Sequence, residues 1–203
     1  MKRPSTTLNK PVYVGFTVLD LSKLYMYEFH YEEMKMRYGD RARLLFTDTD
    51  SLAYAIETED WYNDMKQMKH LLDTSNYPKN HPLYDETNKK VIGKMKDETP
   101  AEPIEEFVGL RAKMYSIKTS DKEKKTAKGV TKAVVRNRIR HVHYREILEN
   151  AGARRDKMRM IRNERHQMYT VEVNKTSLSA YDDKRYILED GIHTLAYGHY
   201  LIE

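Results

Sequence analysis

Two short apolar runs, Arg43–Phe46 and Leu52–Ile56, flank the string Thr47-Asp48-Thr49-Asp50-Ser51. Runs of strand length around such a polar segment predict an antiparallel hairpin with carboxylates at its tip. Upstream, Val18, Leu21, Tyr25, Phe29 and Met34 recur near the helical spacing. No Pro or Gly interrupts Val18–Tyr38, and Gly39 stands where a helix stops. Downstream, Glu59–Leu72 predicts a helix with Thr58 as N-cap, and Ser75–Asn88 predicts a loop. Val91–Lys96 and Phe107–Thr119 read as strands, Gly129–Asn150 as a helix, and Met158–Val173 as one or two strands. Strands and helices in this order predict an α+β fold rather than a parallel βαβ series.

The composition suits a thin core under a wide polar surface. Apolar residues make up 39% of the 203 residues and charged residues 33%, with 16 Tyr against 4 Phe. No run approaches the ~18 apolar residues of a membrane span. The segment MKRPSTTLNK has no apolar stretch of the kind a secretory signal needs. With no cysteine, thiol nucleophiles and thiolate metal sites are excluded, and a reducing compartment is compatible.

The net charge of +5 conceals a division. Residues 111–165 hold 18 Lys+Arg and 6 Asp+Glu, a balance of +12, which leaves −7 for the remainder. Such a block suits either a polyanion partner or a solvated helix face. Lys122–Lys128 (KEKKTAK) reads as an exposed basic loop.

Asp48 and Asp50 are two apart, so on an extended segment their side chains share a face. Two carboxylates at a hairpin tip suit Mg²⁺, which takes one or two protein carboxylates and completes its shell with water and substrate phosphates. That is the chemistry of phosphoryl and nucleotidyl transfer. Acids also gather in turns simply for solvation. A metal-dependent glycosyltransferase likewise places Asp-x-Asp at a strand end. An EF-hand loop is rejected, because Leu52 and Ala53 occupy its third acidic and glycine positions.

The longer string Leu44-Leu45-Phe46-Thr47-Asp48-Thr49-Asp50-Ser51-Leu52 resembles the third polymerase motif of family B DNA polymerases, Y-x-D-T-D-S between apolar strands. Phe46 stands where many members have Tyr. Gly93-Lys94-Met95-Lys96-Asp97-Glu98 is similar to the palm segment that follows. Lys113 and Tyr115 match the K-x-Y motif, and Lys128-Gly129-Val130 resembles the basic step into the thumb. Thr176–Ile187 and His193–His199 look like the C-terminal end of polymerases in Polinton/Maverick elements, of the protein-primed branch shared with adenoviruses. The first palm motif, D-x-x-S-L-Y-P, and the fingers motif, K-x-x-x-N-S-x-Y-G, are not found. Asp20–Tyr25 imitates the first but lies in the predicted helix, with its Ser displaced.

The resemblance implies a partial polymerase palm over 1–119, an antiparallel sheet with helices, and a basic thumb and tail over 120–203. Asp50 is the implied principal metal ligand and Asp48 the accessory one, in a two-Mg²⁺ site left incomplete without the first-motif carboxylate. Lys113 and Tyr115, two apart on an expected strand, would meet the primer strand. Lys124, Lys125, Lys128, Lys132, Arg136, Arg138 and Arg140 would face duplex phosphates. The implied partners are primer–template DNA, deoxynucleoside triphosphates and a terminal protein primer, with no membrane. The expected activity is template-directed nucleotidyl transfer in the parent enzyme, with the isolated chain inactive. The alternative is a non-catalytic DNA-binding remnant. His141 and His143 are two apart on an expected helix and make a poor metal pair. His193 and His199 read as structural, and the sequon Asn174-Lys175-Thr176 as chance.

Overall fold

The computed structural model describes residues 9–181, 185–190, 193–196 and 198–202. The chain is a mixed α+β protein in two compact units, Met1–Ile104 and Glu105–Glu203. The division precedes the expected one at 119/120, because the K-x-Y segment pairs with the strand that follows it. The segment 182–184 of the predicted tail motif lies outside the described residues.

The first unit opens with helix α1 (Val12–Glu28), which passes directly into a π-helical segment, Phe29–Lys35, and a last turn, α2 (Met36–Tyr38). The helix thus starts six residues before the predicted Val18 and stops at Gly39, where φ is +57°. The π segment has a reason in the burial pattern. Met26, His30, Met34 and Tyr38 face inward at intervals of four. At 3.6 residues per turn, a four-residue step drifts by about 40°. The wider π turn rotates the other way and returns Met34 and Tyr38 to the packed side. There they meet Ala42, Tyr54, Ile56 and Trp61. His30 Nδ1 lies 2.9 Å from the Tyr54 hydroxyl, with the two rings stacked.

Strands β1 (Ala42–Asp48) and β2 (Ser51–Ile56) form the predicted antiparallel hairpin, with an irregularity at Leu45. Helix α3 (Trp61–Gln67) is shorter than expected. Its cap is Asp60, whose carboxylate accepts the Asn63 N–H at 3.0 Å, and not Thr58. The Thr58 hydroxyl instead donates to Asp64 at 2.6 Å. Of the predicted strand Val91–Lys96, only β4 (Met95–Lys96) forms, parallel to β3 (Leu72–Asp73).

The long loop between β3 and β4 is held by buried polar groups. Asp73 accepts from the backbone N–H of Ser75 at 3.0 Å and of Lys90 at 3.2 Å, and from the Lys96 ammonium at 3.3 Å. The Tyr77 hydroxyl donates to Asp97 at 2.6 Å, and its ring packs with Met65 and Leu83.

In the second unit, β5 (Glu106–Arg111), β6 (Met114–Lys118) and β7 (Glu123–Ala127) make an antiparallel sheet with β6 in the centre. The expected exposed loop Lys122–Lys128 is therefore mostly strand. The expected helix Gly129–Asn150 is two helices, α4 (Lys132–Asn137) and α5 (His141–Glu149). Ile139, fully buried between them, explains the break: a continuous helix could not both aim Ile139 inward and present its carbonyl to β7. A long hairpin follows, β8 (Ala153–Glu164) and β9 (Gln167–Ser179). Its base contributes Met158 and Leu178 to the core of Val108, Met114, Val134, Ile139 and Tyr144. A short hairpin follows, β10 (Arg185–Ile187) with β11 (Thr194–Ala196).

Burial alone would raise the Asp73 carboxyl. Its hydrogen bonds from Ser75, Lys90 and Lys96 outweigh that and bring it down to about 2. A depressed carboxylate contributes stability above its unfolded value of about 3.9 and loses it as pH falls through the folded value. Urea titrations should therefore show stability declining between pH 4 and pH 2, with a smaller decline in Asp73→Asn. Equal declines in parent and variant would remove Asp73 from this role.

Candidate metal and nucleic-acid site

The carboxylate turn begins at the last residue pair of the hairpin, Asp48 with Ser51. Thr49 and Asp50 form the loop, and Thr49 has φ +58°. A β-branched residue is strained there, because its Cβ crowds the backbone. The Asp50 N–H donates to the Asp48 carbonyl at 2.7 Å, closing a three-residue turn around Thr49. Two hydroxyls brace the same residue. Thr49 Oγ1 donates to the Asp48 carboxylate at 3.4 Å, and Ser51 Oγ to its carbonyl at 3.2 Å.

This geometry corrects the expected spacing argument. Asp48 ends a strand and is half-buried, while Asp50 sits in the turn and is exposed. Their relation is set by the tight turn and not by strand alternation. Among the described residues no group of three or more His, Asp or Glu side chains gathers as a metal cage. The hairpin thus offers two acids, the number Mg²⁺ takes when substrate supplies the rest.

Lys113 and Tyr115 are also arranged differently from expectation. Lys113 lies in the loop between β5 and β6 with φ +58°, and Tyr115 lies in β6. They do not share a strand face. The Lys113 carbonyl accepts the Lys128 N–H at 2.9 Å, which ties the K-x-Y turn to the end of β7. Tyr115 packs beside Phe107, ring centres 5.9 Å apart. A Cβ on Gly109 would come within 2.9 Å of the Phe107 ring, so a side chain there would have to displace that ring.

The predicted phosphate-facing cations divide by their surroundings. Lys125 is turned inward: its side chain is 9% exposed. Its ammonium donates to the Ile139 carbonyl at 2.7 Å and to Glu123 at 3.3 Å. Arg138 donates to the Lys157 carbonyl at 3.1 Å, and Arg140 lies 3.7 Å from Glu123. Lys124 is exposed on β7. Lys128, Lys132 and Arg136 are exposed and make no ion pair among the described residues. Lys132 and Arg136 lie four apart on α4 and so share a face.

His141 is structural. It is buried, with Nδ1 2.8 Å from Ser116 Oγ. Its Nε2 is 3.3 Å from Glu106, an ion-pair distance without hydrogen-bond geometry. Arg145 pairs with the same Glu106 carboxylate. The Ser–His–Glu order resembles a nucleophile triad, but Ser116 is wholly enclosed and cannot receive a substrate. His143 accepts the Arg140 N–H at 3.0 Å, and His193 pairs with Asp190 at 2.5 Å. Arg162 and Arg165, in the β8–β9 hairpin, are cations the sequence reading did not single out. Only the long β pattern after Gly152 hints that they stand on an exposed arm.

Comparisons with known proteins give no matching family model, curated protein or solved structure.

The position of Lys125 makes a test that separates packing from binding. Lys125→Ala leaves the Ile139 carbonyl and Glu123 short of a partner, and should cost about 1–3 kcal/mol in urea unfolding. Lys124→Ala, on the exposed side of β7, should change stability by less than about 0.5 kcal/mol. Equal costs would show that the Lys125 contacts do not hold the helices to the sheet.

Proposed function

We propose that this chain is the C-terminal palm-and-thumb portion of a family B DNA polymerase of the protein-primed branch. The observation that carries the reading is the Asp-Thr-Asp-Ser turn at the tip of an antiparallel hairpin, directly after a long helix. The strained Thr49 adds support, since backbone strain in a tight turn gathers at functional sites. The order of the further motifs, with K-x-Y on the next hairpin and a basic unit around it, points the same way.

In this reading Asp50 is the principal metal ligand, Asp48 the accessory one, and Thr49 and Ser51 hold the turn. Bound Mg²⁺ would lower the pKa of a primer 3′-hydroxyl and hold the triphosphate of an incoming deoxynucleotide. Lys113 and Tyr115 position the primer strand, and Lys128, Lys132 and Arg136 contact duplex phosphates without reading sequence. Lys125 belongs to the packing instead. Helix α1 fits the same reading. It carries Val12, Phe16, Leu21 and Leu24 exposed, as a helix does when a larger body is to cover it.

A second reading, a DNA-binding remnant without chemistry, is favoured by the two-acid hairpin, which does not make a two-metal site by itself. Both readings require duplex binding. A glycosyltransferase has no use for the K-x-Y turn or the basic unit.

Fluorescence anisotropy over a salt series tests the shared requirement. With three to five phosphate contacts, affinity should fall on the order of 10²-fold from 50 to 200 mM salt. The triple variant Lys128→Ala/Lys132→Ala/Arg136→Ala should make the log–log slope shallower. Lys113→Ala should weaken a primer–template junction more than a blunt duplex. The chain alone should extend no primer with Mg²⁺, and extension abolished by Asp50→Asn would mean a complete site. A flat salt response would end the DNA-binding reading.

A further inference from the structure

We infer that helix α1 is the contact surface for a second copy of this chain, which packs on it antiparallel. The polymerase reading leaves α1 without a named cover, and the pairing stands without that reading. From Val12 to Leu21 every residue of α1 is exposed. That stretch is poorly equipped to be a helix alone. Val12, Val14, Thr17 and Val18 are β-branched, and Gly15 is the weakest helix former after proline. No side chain caps the helix start. Helices in proteins take most of their stability from a packed face, and the first turns of α1 find none among the described residues.

One face of α1 carries a seam. Tyr13, Phe16, Asp20, Lys23 and Tyr27 follow one another at alternating intervals of three and four, the spacing that aligns side chains for a partner helix. All five are exposed. Tyr25, which donates to the Gly93 carbonyl, and the buried Met26 join α1 to its own unit and lie off the seam. An antiparallel pair centred between Leu21 and Ser22 sets Phe16 against Tyr27 of the second copy and Asp20 against Lys23 of the second copy. The two-fold axis repeats both contacts the other way round. A parallel pair would instead oppose Asp20 to Asp20 and Lys23 to Lys23. The seam is thus its own complement in one orientation only. The aromatic residues supply the apolar burial, and the charge pairs fix register and direction, the best-attested role of such groups in helix seams.

The area suffices for a dimer of modest affinity. Tyr13, Phe16, Tyr27 and Tyr31 are 60–76% exposed. At about 200 Å² per aromatic side chain they offer roughly 500 Å² on each copy. Val12, Leu19 and Leu24, also exposed, flank them. With these the pair reaches the ~1,200 Å² at which specific interfaces begin. Within one copy Asp20 and Lys23 lie 3.7 Å apart with more than half of each side chain exposed, so both can turn to a partner. A lipid surface is a poorer occupant, because these two charges stand in the middle of the apolar stripe.

Sedimentation velocity of the full chain over a concentration series reads the association directly, and a reversible monomer–dimer equilibrium is expected. Asp20→Lys and Lys23→Asp change exposed positions on which the fold does not depend. Each should weaken the dimer about tenfold or more, because like charges then face each other in both central layers. Mixed in equal amounts, the two variants should pair with each other, and the double variant Asp20→Lys/Lys23→Asp should regain the affinity of the parent. The chain has no cysteine, so introduced cysteines report the orientation. Oxidation should cross-link a mixture of Phe16→Cys and Tyr27→Cys chains and neither variant alone. A chain that stays monomeric at every concentration, or a dimer that the charge variants leave unchanged, overturns the inference. Cross-linking of Phe16→Cys to itself marks a parallel pair and overturns it as well.

Discussion

The second unit depends on how one carboxylate joins the edge of its sheet to its helices. Glu123, at the start of β7, accepts the His141 N–H at 3.2 Å and so closes the N-terminus of α5. The same carboxylate receives Lys125, whose ammonium also binds the Ile139 carbonyl. One acid and one base on alternate residues of a strand thus satisfy the helix start, the interhelical break and each other. Burial tends to raise the Glu123 carboxyl, and the contacts from His141, Lys125 and Arg140 bring it below its usual value. Ile139 reaches the core because this junction holds the chain extended at Arg140. Around it pack Val134 of α4, Tyr144 of α5 and Met158 of the arm.

Periodicity made part of this legible in the sequence. The first helix, the Asp48–Asp50 hairpin and the α+β class follow from apolar spacing and from turn residues between apolar runs. The β5–β6 and β8–β9 hairpins were harder, because their loops lack the usual glycine signal. The β5–β6 loop has Lys113 at positive φ, and the β8–β9 loop has Arg165 and His166 at +46° and +68°. Paired strand registers impose those conformations on residues with no preference for them. The π segment was hidden for another reason: its four-residue step resembles a helical stripe until the drift is summed. The break at Ile139 leaves no mark in a run of helix-compatible residues, since it is caused by β7.

The carboxylate turn shows the same division between type and placement. The residue types suggested a metal site, and strand alternation suggested that both acids share a face. The structure keeps the hairpin but moves Asp50 off the strand, through a turn that forces Thr49 into the left-handed region. The Thr49 hydroxyl reaches the Asp48 carboxylate and the Ser51 hydroxyl its carbonyl, while Asp50 is exposed. The two carboxylates therefore differ in freedom, a braced acid and an exposed one. Such a pair suits unequal roles at a cation better than a symmetric clamp.

The balance of +12 over 111–165 overstates what a partner meets. Lys125, Arg138, Arg140, Arg145 and Arg154 are committed to Glu123, Glu106, Asp156 and backbone carbonyls. Lys125 and Arg154 pair with acids two residues away, whereas Arg140 and Arg145 reach Glu123 and Glu106 across 17 and 39 residues, pairings that a local count does not find. Among the cations that stay outward are Lys128, Lys132 and Arg136 near α4, and Arg162 with Arg165 on the β8–β9 hairpin. For the duplex proposed as partner, these cations offer a few phosphate contacts in each of two places. That is a weaker and more directional grip than an evenly basic face would give, and it is set by which cations the fold has already neutralised.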